Sequence, residues 1–199
     1  MTDYTDGFYL DDLLFVPARL VLMRTGLTNV FAGKNNKTLG ETLEAPRYVG
    51  LAAETRRRYG DRLSEDLGTF LLSLKRNYDM FYENFLNPSG DETYCQFKLG
   101  DDLQGKGLYC YTVGGSIVYI GRTHDPFAKR INIGYGSISP KNCYLDGQST
   151  NCHLNALIAR TDWSKLRLFE CAMVSDEEID VRERELIRSH NPPWNRQLR

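Results

Sequence analysis

Apolar and polar positions along the chain change their period near residue 90. Residues 8–31 carry Leu13, Leu14, Val16, Leu20, Val21 and Val30 among sparse charges, a spacing that reads as helical, with Pro17 limiting where the helix begins or bends. Gly33 to Lys37 reads as a polar loop, and Thr38 to Tyr59 as a second helical stretch with Pro46 near its start. From Arg62 to Leu86 the residues Leu63, Leu67, Phe70, Leu71, Leu74, Tyr78, Phe81 and Phe85 fall on one face of a helix. The run Asn87-Pro88-Ser89-Gly90-Asp91 breaks that pattern and marks a domain boundary.

Beyond the break the runs shorten to strand length. Thr93 to Leu99, Gly107 to Val113 and Ser116 to Tyr119 read as strands, the last two joined by a Gly114-Gly115 hairpin turn. Asp125 to Asn132 reads as a short helix with Pro126 in its first turn, and Gly134 to Thr150 as a polar loop. Cys152 to Ala159 is helical, Leu166 to Met173 a strand, and Asp176 to Ser189 a charged helix. The expected class is α+β, with a helical region over 1–92 and a second domain over 93–199.

Composition narrows the function classes only from outside. A hydrophobic content of 41% and a charged content of 26% describe an ordinary globular chain. No run approaches the roughly 20 apolar residues that span a bilayer, and Met1 to Leu10 lacks a basic-then-apolar leader, so a cytoplasmic protein without a membrane partner is expected. Five cysteines without a C-x-x-C pair favour free thiols over a disulfide framework or a zinc site. A net charge of −1 does not advertise a nucleic-acid binder, although a neutral total still permits a local basic cleft.

The chemistry lies in the second domain. Gly107-Leu108-Tyr109 followed by Val118-Tyr119-Ile120-Gly121 is a common enough hairpin pattern on its own. Arg130 follows Tyr109 by 21 residues on the next helix; Glu183 opens a Glu-Arg-Glu-Leu-Ile run; Asn195 follows Glu183 by 12 residues in Asn191-Pro192-Pro193-Trp194-Asn195; and His153 and Asn155 follow the polar loop. Singly, Arg130 and Glu183 read as solvated helix charges. In this order, over residues 107–195, the set resembles the GIY-YIG nuclease family.

That resemblance implies a small, mainly antiparallel three-stranded sheet flanked by helices, and hydrolysis of DNA phosphodiester bonds. It implies Glu183 as the one protein ligand of Mg²⁺ or Mn²⁺, ions that accept carboxylate oxygens and keep several waters. It implies Arg130 as a permanently charged donor to the phosphate, Tyr109 as the group that orients or deprotonates the water, and Tyr119 and Asn195 within the same site. Several members carry a histidine one turn after the arginine, whereas this chain has Gly134. His153 reads either as a proton-handling group in its stead or as a polar loop anchor.

For DNA contact the candidates are Arg122 beside the hairpin; Lys34, Asn35 and Asn36, apt for base edges; and Lys141, Gln148, Asn151 and Asn155 in and after the long loop. The Arg56-Arg57-Arg58 run reads equally as a phosphate contact or a solvated helix end. Double-stranded DNA is the expected partner, with residues 1–92 the candidate region for DNA recognition and dimerisation and 93–199 the catalytic domain, a homodimer on DNA allowing both strands to be cut. The stripe Leu67, Phe70, Leu74, Phe81 and Phe85 reads more readily as core than as dimer contact. A compact chain with its extra mass before the cassette, and the character of its long loop, favour a type II restriction endonuclease. A repair, homing or structure-specific nuclease is the alternative, and a non-catalytic DNA-binding module the alternative from another class.

Overall fold

The computed structural model describes residues 6–100 and 103–196. The chain divides into two compact units: Met1–Thr25, Cys95–Ser137 and Leu157–Arg199 form one, Gly26–Tyr94 and Ile138–Ala156 the other. This division is not a simple cut at residue 92, since each unit draws segments from both sides of it. The N-terminal segment joins the sheet, and much of the long loop joins the helices.

The first unit is built on an antiparallel sheet, and the class is α+β. Its strands are β1 (Phe8–Leu10), β2 (Leu13–Ala18), β5 (Gly107–Val113), β6 (Ser116–Thr123) and β7 (Leu166–Ala172), in the order β1-β2-β7-β5-β6. Strands β3 (Leu20–Leu27) and β4 (Tyr94–Leu99) pair separately. The sheet therefore has five strands among the described residues rather than three, and the helix expected over 8–31 is instead strands β1 to β3. Pro17 explains part of that difference. It pairs with Phe169 on β7, while β1 opposes only Leu13, Leu14 and Phe15. Pro17 stands where β2 has no β1 partner, an edge position that tolerates proline.

Gly114 and Gly115 both have positive φ, 58° and 82°, as the tight β5–β6 turn requires. Gly107 has φ 144°, and a Cβ there would lie 2.2 Å from the Cys171 carbonyl oxygen, so the first residue of β5 must be glycine. Leu108, Cys110, Ile120, Phe169 and Cys171 alternate onto one core with Phe15 and with Ile179, Leu186 and Ile187 of α6 (Asp176–His190). Cross-strand register puts Tyr109 opposite Gly121 and Tyr111 opposite Tyr119, so the alternate residues of β5 and β6 carry a tyrosine face.

The second unit holds α1 (Leu39–Leu43), α2 (Val49–Tyr59), α3 (Leu67–Arg76), α4 (Pro140–Cys143) and the start of α5 (Ser149–Arg160). The helix expected over 62–86 is shorter. Asp66 caps α3 by accepting from Thr69 N at 3.0 Å, Tyr78 turns the chain with φ 59°, and Asp79 caps a following 3₁₀ turn. Leu67, Phe70, Leu74, Phe81 and Phe85 are all buried in the unit's own core, so this stripe is not a dimer surface. Arg58 is also spoken for: it pairs with Asp79 and lies over the Phe81 ring, 4.5 Å from its centroid, while Arg56 pairs with Glu44.

Candidate active site

Strands β5 and β6 bring three of the expected residues together. Tyr109 and Tyr119 lie with ring centroids 6.0 Å apart, and Arg130 Nε donates to the Tyr109 hydroxyl at 3.4 Å. Gly121 makes this possible. A Cβ at that position would stand 2.7 Å from both tyrosine rings, so the glycine of Tyr119-Ile120-Gly121 is the space into which Tyr109 packs.

Arg130 reaches the cluster from a widened turn. Residues Lys129–Tyr135 form a π-type helix closed by Gly136 N donating to the Ile131 carbonyl at 2.7 Å, a geometry frequent at functional sites. The extra residue in that turn also drives Tyr135 inward. Its ring stacks on Tyr109 at 6.1 Å, its hydroxyl lies 3.3 Å from that of Tyr111, and the Arg130 guanidinium stands 5.4 Å from its centroid. Tyr111 and Tyr135 thus belong to the cluster although sequence reasoning did not name them. The Gly134-Tyr135-Gly136 tripeptide was the available signal, hidden in a stretch that read as loop.

Electrostatics follow from burial. Burial pushes the hydroxyls of Tyr111, Tyr119 and Tyr135 well above the ordinary phenol range, keeping them neutral. The Arg130 charge is firm, since Tyr109 first and then the other tyrosines favour its protonated form over the cost of burial. A Cβ at Gly134 would meet only Arg130 atoms, at 3.6 and 3.8 Å, so there is room for a side chain where several members of the resembled family carry histidine.

Glu183 sits on α6 and is held by Arg122, whose Nη1 donates to Oε2 at 2.7 Å while its Nε pairs with Asp180 at 3.1 Å. Arg122 is therefore engaged with two carboxylates, a role not anticipated for it. Burial, more than any other influence, raises the Glu183 carboxyl; Arg122 and Arg130 only partly oppose it. The ionised form is thus under-compensated, which is the condition a further cation would relieve. Among the described residues no group of three or more His, Cys, Asp or Glu side chains is set to hold a metal ion. The donor set fits an ion held by one carboxylate, waters and substrate oxygens, not a zinc cage.

Asn195 does a different job from the one expected. It is buried, its Oδ1 accepts from Ile120 N at 3.0 Å, and its Nδ2 donates to the Ile120 carbonyl at 2.7 Å. With Trp194 N on the Val118 carbonyl at 2.9 Å, it closes the outer edge of β6. Asn195 is a positioning residue. Asn195→Ala is expected to leave both Ile120 backbone groups unpaired and cost about 1–3 kcal/mol. Thermal unfolding would show the loss, with faster amide exchange at Ile120; unchanged exchange there would remove this role.

The remaining candidates lie elsewhere. His153 and Asn155 are on α5, in segments assigned to the helical unit, as are Lys34, Asn35, Asn36, Lys141, Gln148 and Asn151. Asn151 and Asn155 are buried, whereas Lys34, Asn36, Lys141 and Gln148 are exposed. No helix among the described residues is long and apolar enough to cross a membrane. Comparison with protein-family models, with curated proteins and with solved structures finds no match to this chain.

Proposed function

We propose that the chain is a divalent-metal-dependent DNA endonuclease that hydrolyses phosphodiester bonds, serving as a sequence-specific type II restriction enzyme. The observation that carries the reading is the Arg130 guanidinium set on the Tyr109 hydroxyl within a buried tyrosine cluster. A fixed positive charge beside a phenol suits a phosphate oxygen and an attacking water. Arg130 offsets charge growing on the phosphoryl oxygens, and its Nε holds the Tyr109 hydroxyl that orients the water or takes its proton. Tyr119 keeps the Tyr109 ring in place. Glu183 would hold Mg²⁺ or Mn²⁺, which supplies Lewis-acid stabilisation of the phosphoryl and leaving oxygens. A duplex is cut on both strands when two copies dock with two-fold symmetry.

Incubating phage DNA with the purified protein and Mg²⁺ tests this directly. Discrete fragments that vanish with EDTA are expected; no cleavage of any DNA, or cleavage indifferent to EDTA, would overturn the reading.

The ion can also be sought without activity. Because the folded-state pKa of Glu183 is raised, its contribution to stability is fully present at pH below the ordinary glutamate value, about 4.3, and is lost as pH rises through the raised value. Mg²⁺ on the ionised carboxylate opposes that loss. The Mg²⁺-dependent gain in Tm is therefore expected at neutral pH and should shrink as pH falls into the carboxylate range. An equal gain in Glu183→Gln would place the ion elsewhere.

A further inference from the structure

The helical unit contains a cavity of about 160 Å³ that the tyrosine cluster does not use. Two stretches far apart in sequence meet there. Asn35 and Lys37 come from the loop before α1, and Lys141, Tyr144 and Asp146 from α4 and the turn after it. Its walls include the rings of Tyr48 and Tyr144 and the side chain of Leu67, all buried.

Four of the polar side chains, Tyr48, Asp146, Asn35 and Tyr144, are fixed by bonds within the unit. Tyr48 donates to Asp146 Oδ1 at 2.7 Å. Asn35 Nδ2 donates to the Tyr144 hydroxyl at 2.7 Å, while its Oδ1 accepts from Lys37 N at 2.9 Å. The Tyr144 hydroxyl donates to the Phe31 carbonyl at 2.8 Å. The Asp146 turn folds tightly on α4: a Cβ at Gly147 would lie 2.3 Å from the Lys141 carbonyl oxygen. Among the described residues neither Lys37 nor Lys141 is in an ion pair, and Tyr48 occupies only one Asp146 oxygen.

We propose that this cavity takes a single guanine base unstacked from DNA, with the Lys37 and Lys141 ammoniums donating to O6 and N7 and Asp146 accepting from N1–H. The source of the base rests on the nuclease reading; the chemistry of the pocket does not. Groove reading needs a protruding helix or ribbon, whereas a concave receptor can meet a base only after it leaves the stack. Pockets for drug-sized ligands start at about 300 Å³, so this one admits a heterocycle and leaves the sugar and phosphate outside. Aromatic walls suit a planar ring. Two ammoniums alone would also suit a phosphate, but a carboxylate in the same cavity disfavours an anion. Guanine presents two adjacent acceptors for the lysines, and a ring N–H for the carboxylate.

Calorimetric titration of the full-length protein without Mg²⁺ tests the pocket apart from cleavage. The probes are dGMP, dAMP, dCMP, TMP and deoxyribose 5-phosphate. The expected result is dGMP binding at least about tenfold tighter than the others, weakened at least tenfold in Lys141→Ala, a surface substitution whose fold is checked by its Tm. A dT oligonucleotide with one central dG should bind tighter than dGMP; the reverse order would make the ligand a free guanine nucleotide and overturn the DNA source. Equal binding of all five probes would make the site a phosphate site, and no binding would leave no site; either overturns the proposal. A protein that cuts DNA but ignores dGMP loses only the pocket. One that prefers dGMP and the dG oligonucleotide yet never cuts loses only the nuclease reading.

Discussion

Glu183→Gln is expected to abolish Mg²⁺-dependent cleavage while leaving folding and DNA binding nearly intact. Glutamine has the same length and keeps an amide oxygen to accept from Arg122 Nη1, so the contact at 2.7 Å survives in neutral form. Arg122 also retains Asp180. What the substitution removes is the carboxylate charge, whose ionised form burial already disfavours. The fold therefore loses nothing it needs, and Tm without metal should hold or rise. The reaction, in contrast, loses the anchor for an ion worth several kcal/mol of charge stabilisation, on the order of 10³-fold or more in rate. A purified Glu183→Gln protein that cuts DNA at near-native rate would end the one-carboxylate proposal. Loss of cleavage accompanied by a lowered Tm would show instead that Glu183 acts through structure.

The β5–β6 hairpin was legible because its constraints are local in sequence. Strand β5 at Gly107–Val113, the Gly114-Gly115 turn and the start of β6 stand where the alternation and the glycines put them. Gly121 was visible as a motif letter, and its reason, the Tyr109 ring, becomes plain only from the cross-strand register. Residues 8–31 misled because Leu13, Leu14, Val16 and Leu20 suit either period, and pairing with β7, more than 140 residues away, decided the outcome. Pro17 limits where a helix can begin or bend, and it argues further against any helix interior there. The same pairing changes what a truncation at residue 92 would do. It would strip β1 and β2 from the sheet that carries Tyr109, and so could not isolate a recognition function. Tyr135 was missed because a π-type turn has no simple period to read. Asn195 was recognised as part of the motif and assigned chemistry, although its amide is consumed by the Ile120 backbone.

Arg130→Ala is expected to slow cleavage by about 10²–10³-fold, the loss seen when one charge-stabilising donor is removed from a preorganised site. Arg122 is no substitute for the guanidinium, being committed to Glu183 and Asp180. Arg130→Lys should recover little of that rate. A lysine keeps the charge but lacks the planar fork that can face a phosphate while one nitrogen stays on Tyr109. Its ammonium would also sit differently over the Tyr135 ring, which the guanidinium approaches to 5.4 Å. Tyr109→Phe preserves a ring that is wholly buried and removes only the hydroxyl, so its loss of rate measures that one oxygen. The two residues touch through a single bond of 3.4 Å, and the proposed roles make them act on the same water and phosphate. Residues that act as a unit are not additive. The double variant Tyr109→Phe with Arg130→Ala should therefore be little slower than the worse single one, measured as kcat/KM on a cleaved duplex. If the two losses simply multiplied, Tyr109 and Arg130 would be independent contributors, and the coupled tyrosine–arginine site would have to be abandoned.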